Sequence, residues 1–229
     1  MSAVRRLNHE SYATIFSVVY LGLVTNALLA VALLPLLAVL AVTDTAQSWP
    51  LLVALVPALV APALAAAFTV FSAYSNDSTI GVIRTFGRAW RATYRRAFAL
   101  GAAVSGAVVV LVVDVVWARG TAFGGIAVPV LGVLALLAVA TGLLGLAAVA
   151  EAPTARLRDV LKVSLYFGVR RWYLTAVSFF SIGLLVAAFV AKPALALGLA
   201  AAPLLYVAWA NSRFSLRPVL PVREIPAGA

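Results

Sequence analysis

Apolar residues fall in six long runs, at roughly 15–42, 51–74, 98–117, 124–150, 173–191 and 194–210, and polar residues collect between them. About 20 apolar helical residues cross a hydrocarbon layer. The pattern therefore predicts an all-α chain, a polytopic transmembrane helix bundle of about six spans. It occupies 15–210, between a tail at 1–14 and a second tail at 211–229. The first run is too long for the core of a signal peptide, and no small-residue cleavage pattern follows it closely, so it reads as a retained helix. Pro35 interrupts that run and predicts a tilt, a kink or an early exit from the bilayer. Lys192-Pro193 divides a stretch too long for one crossing. Proline suits the first turn of a helix, so a tight hairpin is expected there.

The connector TIGVIRTFGRAWRATYRRAF (79–98) has a different rhythm, with five arginines and no acid. At about 100° per residue, Ile83, Phe86, Gly87, Trp90, Tyr94 and Ala97 share one face. Arg84, Arg88, Arg91 and Arg95 form a stripe along its edge, and only Arg96 departs. Ser78 or Thr79 suits the N-cap, and Asp77 suits the positive end of the dipole. A basic amphipathic helix tethered between spans is expected to lie in the interface plane. Anionic lipid attracts each such charge by about 1 kcal/mol near the surface. Nucleic-acid binding fits less well, because residues that bury alternate with the charges.

A second basic connector, TARLRDVLKVSLYFGVRRWYLTA (154–176), carries Arg156, Arg158, Lys162, Arg170 and Arg171. RRAFAL (95–100) and RRWYLT (170–175) stand at matching places in a span, basic helix, span pattern. This is either a parallel internal repeat or the common look of positively charged connectors. EAPTARLRDVL (151–161) begins like the ATPase-docking loop of importer permeases but lacks the later glycine.

Charge fixes an expected orientation. One set of alternate connectors and tails holds Arg5, Arg6, the five arginines of 75–97, the five basic residues of 151–172, and Arg213, Arg217 and Arg223. The other holds Arg119 and Lys192 alone, so the count is fifteen against two. Positive charge stays inside, which predicts a multi-pass membrane protein with both termini cytoplasmic. Trp49, Trp117, Trp172, Tyr173 and Trp209 fall at expected span ends, where amphipathic rings favour the headgroup level.

Composition then narrows the chemistry. The 229 residues are 65% hydrophobic and 10% charged, with a net charge of +10. A soluble domain has about half its residues apolar and about a quarter charged. The absence of cysteine removes disulfides, thiol catalysis and Cys-ligated metal. The single histidine, His9, lies in the tail without a partner motif. No P-loop, dinucleotide fingerprint, nucleophile elbow or metal-ligand spacing is present. The expectation is a non-enzymatic protein without cofactor or metal. Asn26 and Asp114 are the polar candidates inside the spans. For Asn26 an interhelical hydrogen bond competes with a ligand contact, and for Asp114 a pairing with Arg119 or Lys192 competes with a transport role. Asp44 and Glu151 fall at span ends. Pro57 and Pro62, near APALAAAF (61–68), either break a helix beside a cavity or let helices pack closely.

Asn26, Pro35, APALAAAF, FGRAWRATYRRAF (86–98) and AAPLLYVAWANSRFSLRPVL (201–220), with its Asn211 and Phe214, together resemble the YesL-like family of small bacterial membrane proteins. The outward TDTAQSWP loop (43–50) is longer than in many relatives. Such proteins are often encoded beside carbohydrate ABC importers. The resemblance implies an accessory subunit packing on a permease and near its ATPase. It supplies no catalytic residue. The alternatives are a stand-alone small-solute transporter or channel, and a membrane scaffold or sensor that binds anionic lipid through its basic helices.

Overall fold

The computed structural model describes residues 2–42 and 49–218, with side chains described from Ile15 onward except at 49 and 52. Asp44, Arg223 and the 43–48 connection lie outside the described residues, as do the side chains of Arg5, Arg6, His9 and Trp49. The elements are α1 (Ser2–Ala32), α2 (Leu34–Val42), α3 (Trp49–Leu55), α4 (Ala61–Asn76), α5 (Val82–Ala118), α6 (Gly124–Glu151), α7 (Leu157–Arg170), α8 (Trp172–Ala191), α9 (Pro193–Leu195) and α10 (Ala201–Leu216). One π-turn, Val56–Val60, joins α3 to α4, and another, Ala196–Ala200, joins α9 to α10. No strand occurs among the described residues. Six helices are long and apolar enough to cross a membrane, which makes the chain a multi-pass membrane protein.

The break after Ala32 places Pro35 in the first turn of α2, where its missing N–H is harmless. α8 ends at Ala191 and α9 begins at Pro193, giving the expected hairpin. Residues 2–14 are helical and continuous with the first span. Residues 211–216 are the last turns of α10, so the C-terminal tail begins later than expected. The connector 82–97 is fused to its span in a single 37-residue helix, α5.

α4 is the axis of the bundle, with α5, α6, α10 and α1 packed around it. Its alanines make this possible. Ala63, Ala65, Ala66 and Ala67 are fully buried, and residues this small let backbones approach closely where lipid supplies no hydrophobic drive. Gly101 of α5 crosses the first π-turn so tightly that an added Cβ would lie 3.1 Å from the Pro57 Cα and 2.7 Å from the Ala61 Cβ. Phe71 of α4 meets Tyr206 edge-on at 5.5 Å, with Trp209 tilted beside both. Trp209 is therefore a core residue, not the interfacial ring its place in the sequence suggests. Trp117, Trp172 and Tyr173 are exposed, as belt residues should be.

Burial is uneven along the bundle. α6 is buried without interruption from Ala140 to Ala150, whereas its first half mixes exposed and half-buried positions. The α5–α6 hairpin thus leaves the core, and Val113, Val116, Ile126 and Val133 face outward as a lipid-compatible surface.

The two π-turns share a cause. Proline follows each, at Pro62 and Pro203, and its ring would strike the carbonyl four residues back in a regular helix. Opening one turn relieves this, and Ala61 and Ala201 donate five residues back, to Val56 and Ala196. At the second π-turn a backbone pair is left open, and Asn26 of α1 fills it. Its Nδ2 donates to the Gly198 carbonyl at 2.9 Å, and its Oδ1 accepts from the Ala202 N–H at 2.6 Å. These two groups, four residues apart, would bond each other in a regular helix.

Candidate functional site

The α4 and α6 C-termini, the α5 N-terminus, α7 and the end of α10 converge at one end of the bundle, and most of the described basic residues lie there. On α5 the face that packs consists of Val82, Phe86, Ala89, Thr93, Ala97 and Leu100. This face is rotated from the expected one, because Ile83 is 61% exposed and Gly87 is also exposed. The rotation aligns the face with α4, where alanine, threonine and valine fit the close crossing. Arg84, Arg88, Arg91 and Arg95 are all exposed. None has a hydrogen bond or ion pair among the described residues. With Ile83, Gly87 and Ala92, the first three line a shallow open hollow.

The continuity of α5 corrects the expectation of a separate helix lying in the interface plane. No turn divides Arg84–Arg96 from the span that follows. Gly81 is the N-cap, without a side-chain bond, in place of Ser78 or Thr79. Asp77 instead ends α4. Its carboxylate accepts from the Thr79 hydroxyl at 2.6 Å and the Thr79 N–H at 2.8 Å. These bonds hold its carboxyl below the ordinary value, the hydroxyl contributing most.

The second basic group divides by role. Arg158 and Lys162 are exposed on α7. Arg170 donates to the Tyr166 hydroxyl at 2.6 Å and covers that ring. Arg171 donates to the Phe214 carbonyl at 2.8 Å and stacks on both Phe214 and Phe167. The chain breaks at Arg171, between α7 and α8, so only here does a basic helix stand apart from its span. α7 buries Val160, Ser164, Phe167 and Gly168, and exposes Leu165, Tyr166 and Val169 beside its charges.

Residues outside the expected set tie this end together. Arg213 donates to the Ser75 hydroxyl at 2.7 Å, lies over the Trp209 ring, and sits 3.5 Å from the Glu151 carboxylate. Glu151 Oε1 is buried and held by charge alone, since that contact lacks hydrogen-bond geometry. Placing Arg213 in a tail concealed this α4–α6–α10 clasp. Arg96 donates to the Ala155 carbonyl at 3.2 Å and joins α5 to the α6–α7 turn. Its departure from the stripe was the visible signal.

Asn26 borders a groove whose other lining residues are apolar. Asn26 is 2% exposed, with both ends of its amide used by the second π-turn. Asp114 is exposed and pairs with neither Arg119 nor Lys192 among the described residues. Pro57 and Pro62 are buried in close packing. Two grooves open beside the spans. One, of about 660 Å³, lies between α1–α2 and the α8–α9 hairpin, and the other, of about 440 Å³, lies between the first π-turn, α5 and α6. Both are lined almost wholly by aliphatic residues. No cluster of metal-ligating side chains occurs among the described residues.

No curated protein and no solved structure matches the chain. Residues 23–115, from α1 through most of α5, match the family described as protein of unknown function, DUF624, and this stretch contains both Asn26 and the arginine stripe.

Proposed function

We propose that the protein is a non-enzymatic accessory subunit of a membrane transport assembly, with its basic end in the cytoplasm of a bacterial cell. The carbohydrate ABC importer implied by the YesL-like resemblance is the assembly proposed. The spans would pack on the permease, and the basic end would face the permease or its ATPase. One observation carries the reading. Four exposed arginines stand on a continuous helical extension of a span and none is used by the fold, whereas Arg96, Arg171 and Arg213 nearby all are. Charges left unpaired on a continuous helix are open to a partner of opposite sign.

A stand-alone transporter is disfavoured by the aliphatic grooves and by the full use of Asn26. A lipid-binding scaffold draws support from α7, whose Leu165, Tyr166 and Val169 lie beside Lys162 and Arg170 as an interfacial helix requires. The test is isolation of the full chain from native membranes in mild detergent, followed by native mass spectrometry. A permease should accompany the wild type and be lost from Arg84/Arg88/Arg91/Arg95→Gln. Recovery of the protein alone, with sugar uptake unaffected by its deletion, would overturn the reading. The chain has no cysteine, so Arg84→Cys reports orientation directly. The thiol should react with an impermeant reagent only in inverted vesicles.

A further inference from the structure

We infer that the arginine stripe of α5 receives an acidic protein helix lying alongside it, not the plane of a lipid surface. This rests on the accessory-subunit reading and names the chemistry of the partner.

The geometry comes from the unbroken helix. Arg84 and Arg95 are eleven residues apart on one continuous helix that becomes a span. At 1.5 Å per residue they differ in depth by about 16 Å, or about 15 Å at the common tilt of about 20°. The headgroup region of one leaflet is about 5–7 Å thick. A lipid surface therefore reaches less than half the stripe, and only a partner that rises beside α5 reaches all of it.

The charges and the shape agree. α5 carries no acid before Asp114, so nothing on the helix balances the stripe. Arginines at these spacings repel one another by a few tenths of a kcal/mol per pair. Between them, Gly87 has nothing within 4 Å of where a Cβ would stand, and Ile83 is 61% exposed. The result is a shallow hollow, lined about equally by guanidinium groups and by Ile83, Gly87 and Ala92. It fits a helix that presents an apolar ridge flanked by carboxylates at spacings of four, three and four, each paired with an arginine.

The experiment uses the full chain in nanodiscs of zwitterionic lipid. A helical peptide with glutamates in that spacing beside a leucine row is titrated against a shuffled peptide of the same composition. The matched peptide should bind at least tenfold more tightly. Arg84→Gln with Arg88→Gln should abolish that preference, and Lys162→Gln should leave it intact. Thermal unfolding of the double variant should match the wild type, since neither arginine has a partner in the fold. Equal binding of the two peptides overturns the inference. So does loss of matched binding in nanodiscs of anionic lipid, which would make the stripe a lipid contact. If matched binding fails while a permease still co-purifies with the wild type, the inference falls and the accessory reading stands. Matched binding by a protein recovered without a permease leaves the inference and sinks that reading.

Discussion

In α5 the basic segment runs into its span without interruption, whereas a turn at Arg171 separates α7 from α8. The two segments carry an Arg-Arg pair at corresponding places, Arg95-Arg96 and Arg170-Arg171. They differ in what the chain does with the pair. In α5 the first arginine is free, and the second reaches sideways to the Ala155 carbonyl, a bond that leaves the helix intact. In α7 both are engaged. Arg171 is pinned between Phe167 and Phe214 and held by the Phe214 carbonyl, with φ −113° and ψ 46°, outside the helical range. An arginine recruited by a neighbouring helix can end its own helix. The arginines left free in α5 stand on a helix that continues into its span.

The largest test removes the difference. Ala97→Pro in α5 deletes a backbone bond and drives the ring toward the Thr93 carbonyl at a fully buried position. The expected cost is about 3 kcal/mol or more, read as a lower unfolding midpoint in detergent. Trp172→Pro, in the first turn after the natural break, should cost less than about 1 kcal/mol. Equal costs would mean that the two junctions are alike. Next, Arg171→Ala removes a charged hydrogen bond and two ring contacts at a half-buried site, for an expected loss of about 1–2 kcal/mol. Arg91→Ala should change stability by less than about 0.5 kcal/mol. A comparable loss at Arg91 would show that the stripe supports the fold.

Lipid sharpens the contrast further. Arg158→Gln and Lys162→Gln should each weaken anionic-lipid retention by about 1 kcal/mol, counted by native mass spectrometry. Arg84→Gln should leave the count nearly unchanged. The smallest effect concerns Asp77, at the junction before α5. Its depressed carboxyl contributes stability above the ordinary value of 3.8, and this is lost as pH falls through the lower folded value. Thr79→Ala removes the larger cause and should raise the Asp77 pKa, as followed by NMR titration of the carboxyl carbon.

The spans were legible because lipid imposes a length and a composition, and the 192–193 hairpin because proline punctuates it. The α5 junction was not legible. Arginine, alanine, tryptophan and tyrosine all tolerate helix, so hydropathy marks where a span starts but not where its helix starts. The packed face was read one position off, since Ile83 and Val82 look alike until α4 chooses between them. Trp209 showed the same limit, because an aromatic residue near a span end looks interfacial until Phe71 and Tyr206 enclose it. Asn26 was recognised as polar and placed within a span, but its partners lie on a helix 172 and 176 positions away.

That distance shapes how the molecule is assembled. Until α1 arrives, the sixth span holds an unclosed N–H and C=O in hydrocarbon, which is costly. An ordinary apolar helix cannot substitute for α1, because closure takes a donor and an acceptor on one short side chain. The bundle is therefore finished by ring closure between distant parts of the chain. A protein severed at the 192–193 hairpin should still need both fragments before its sixth helix is whole.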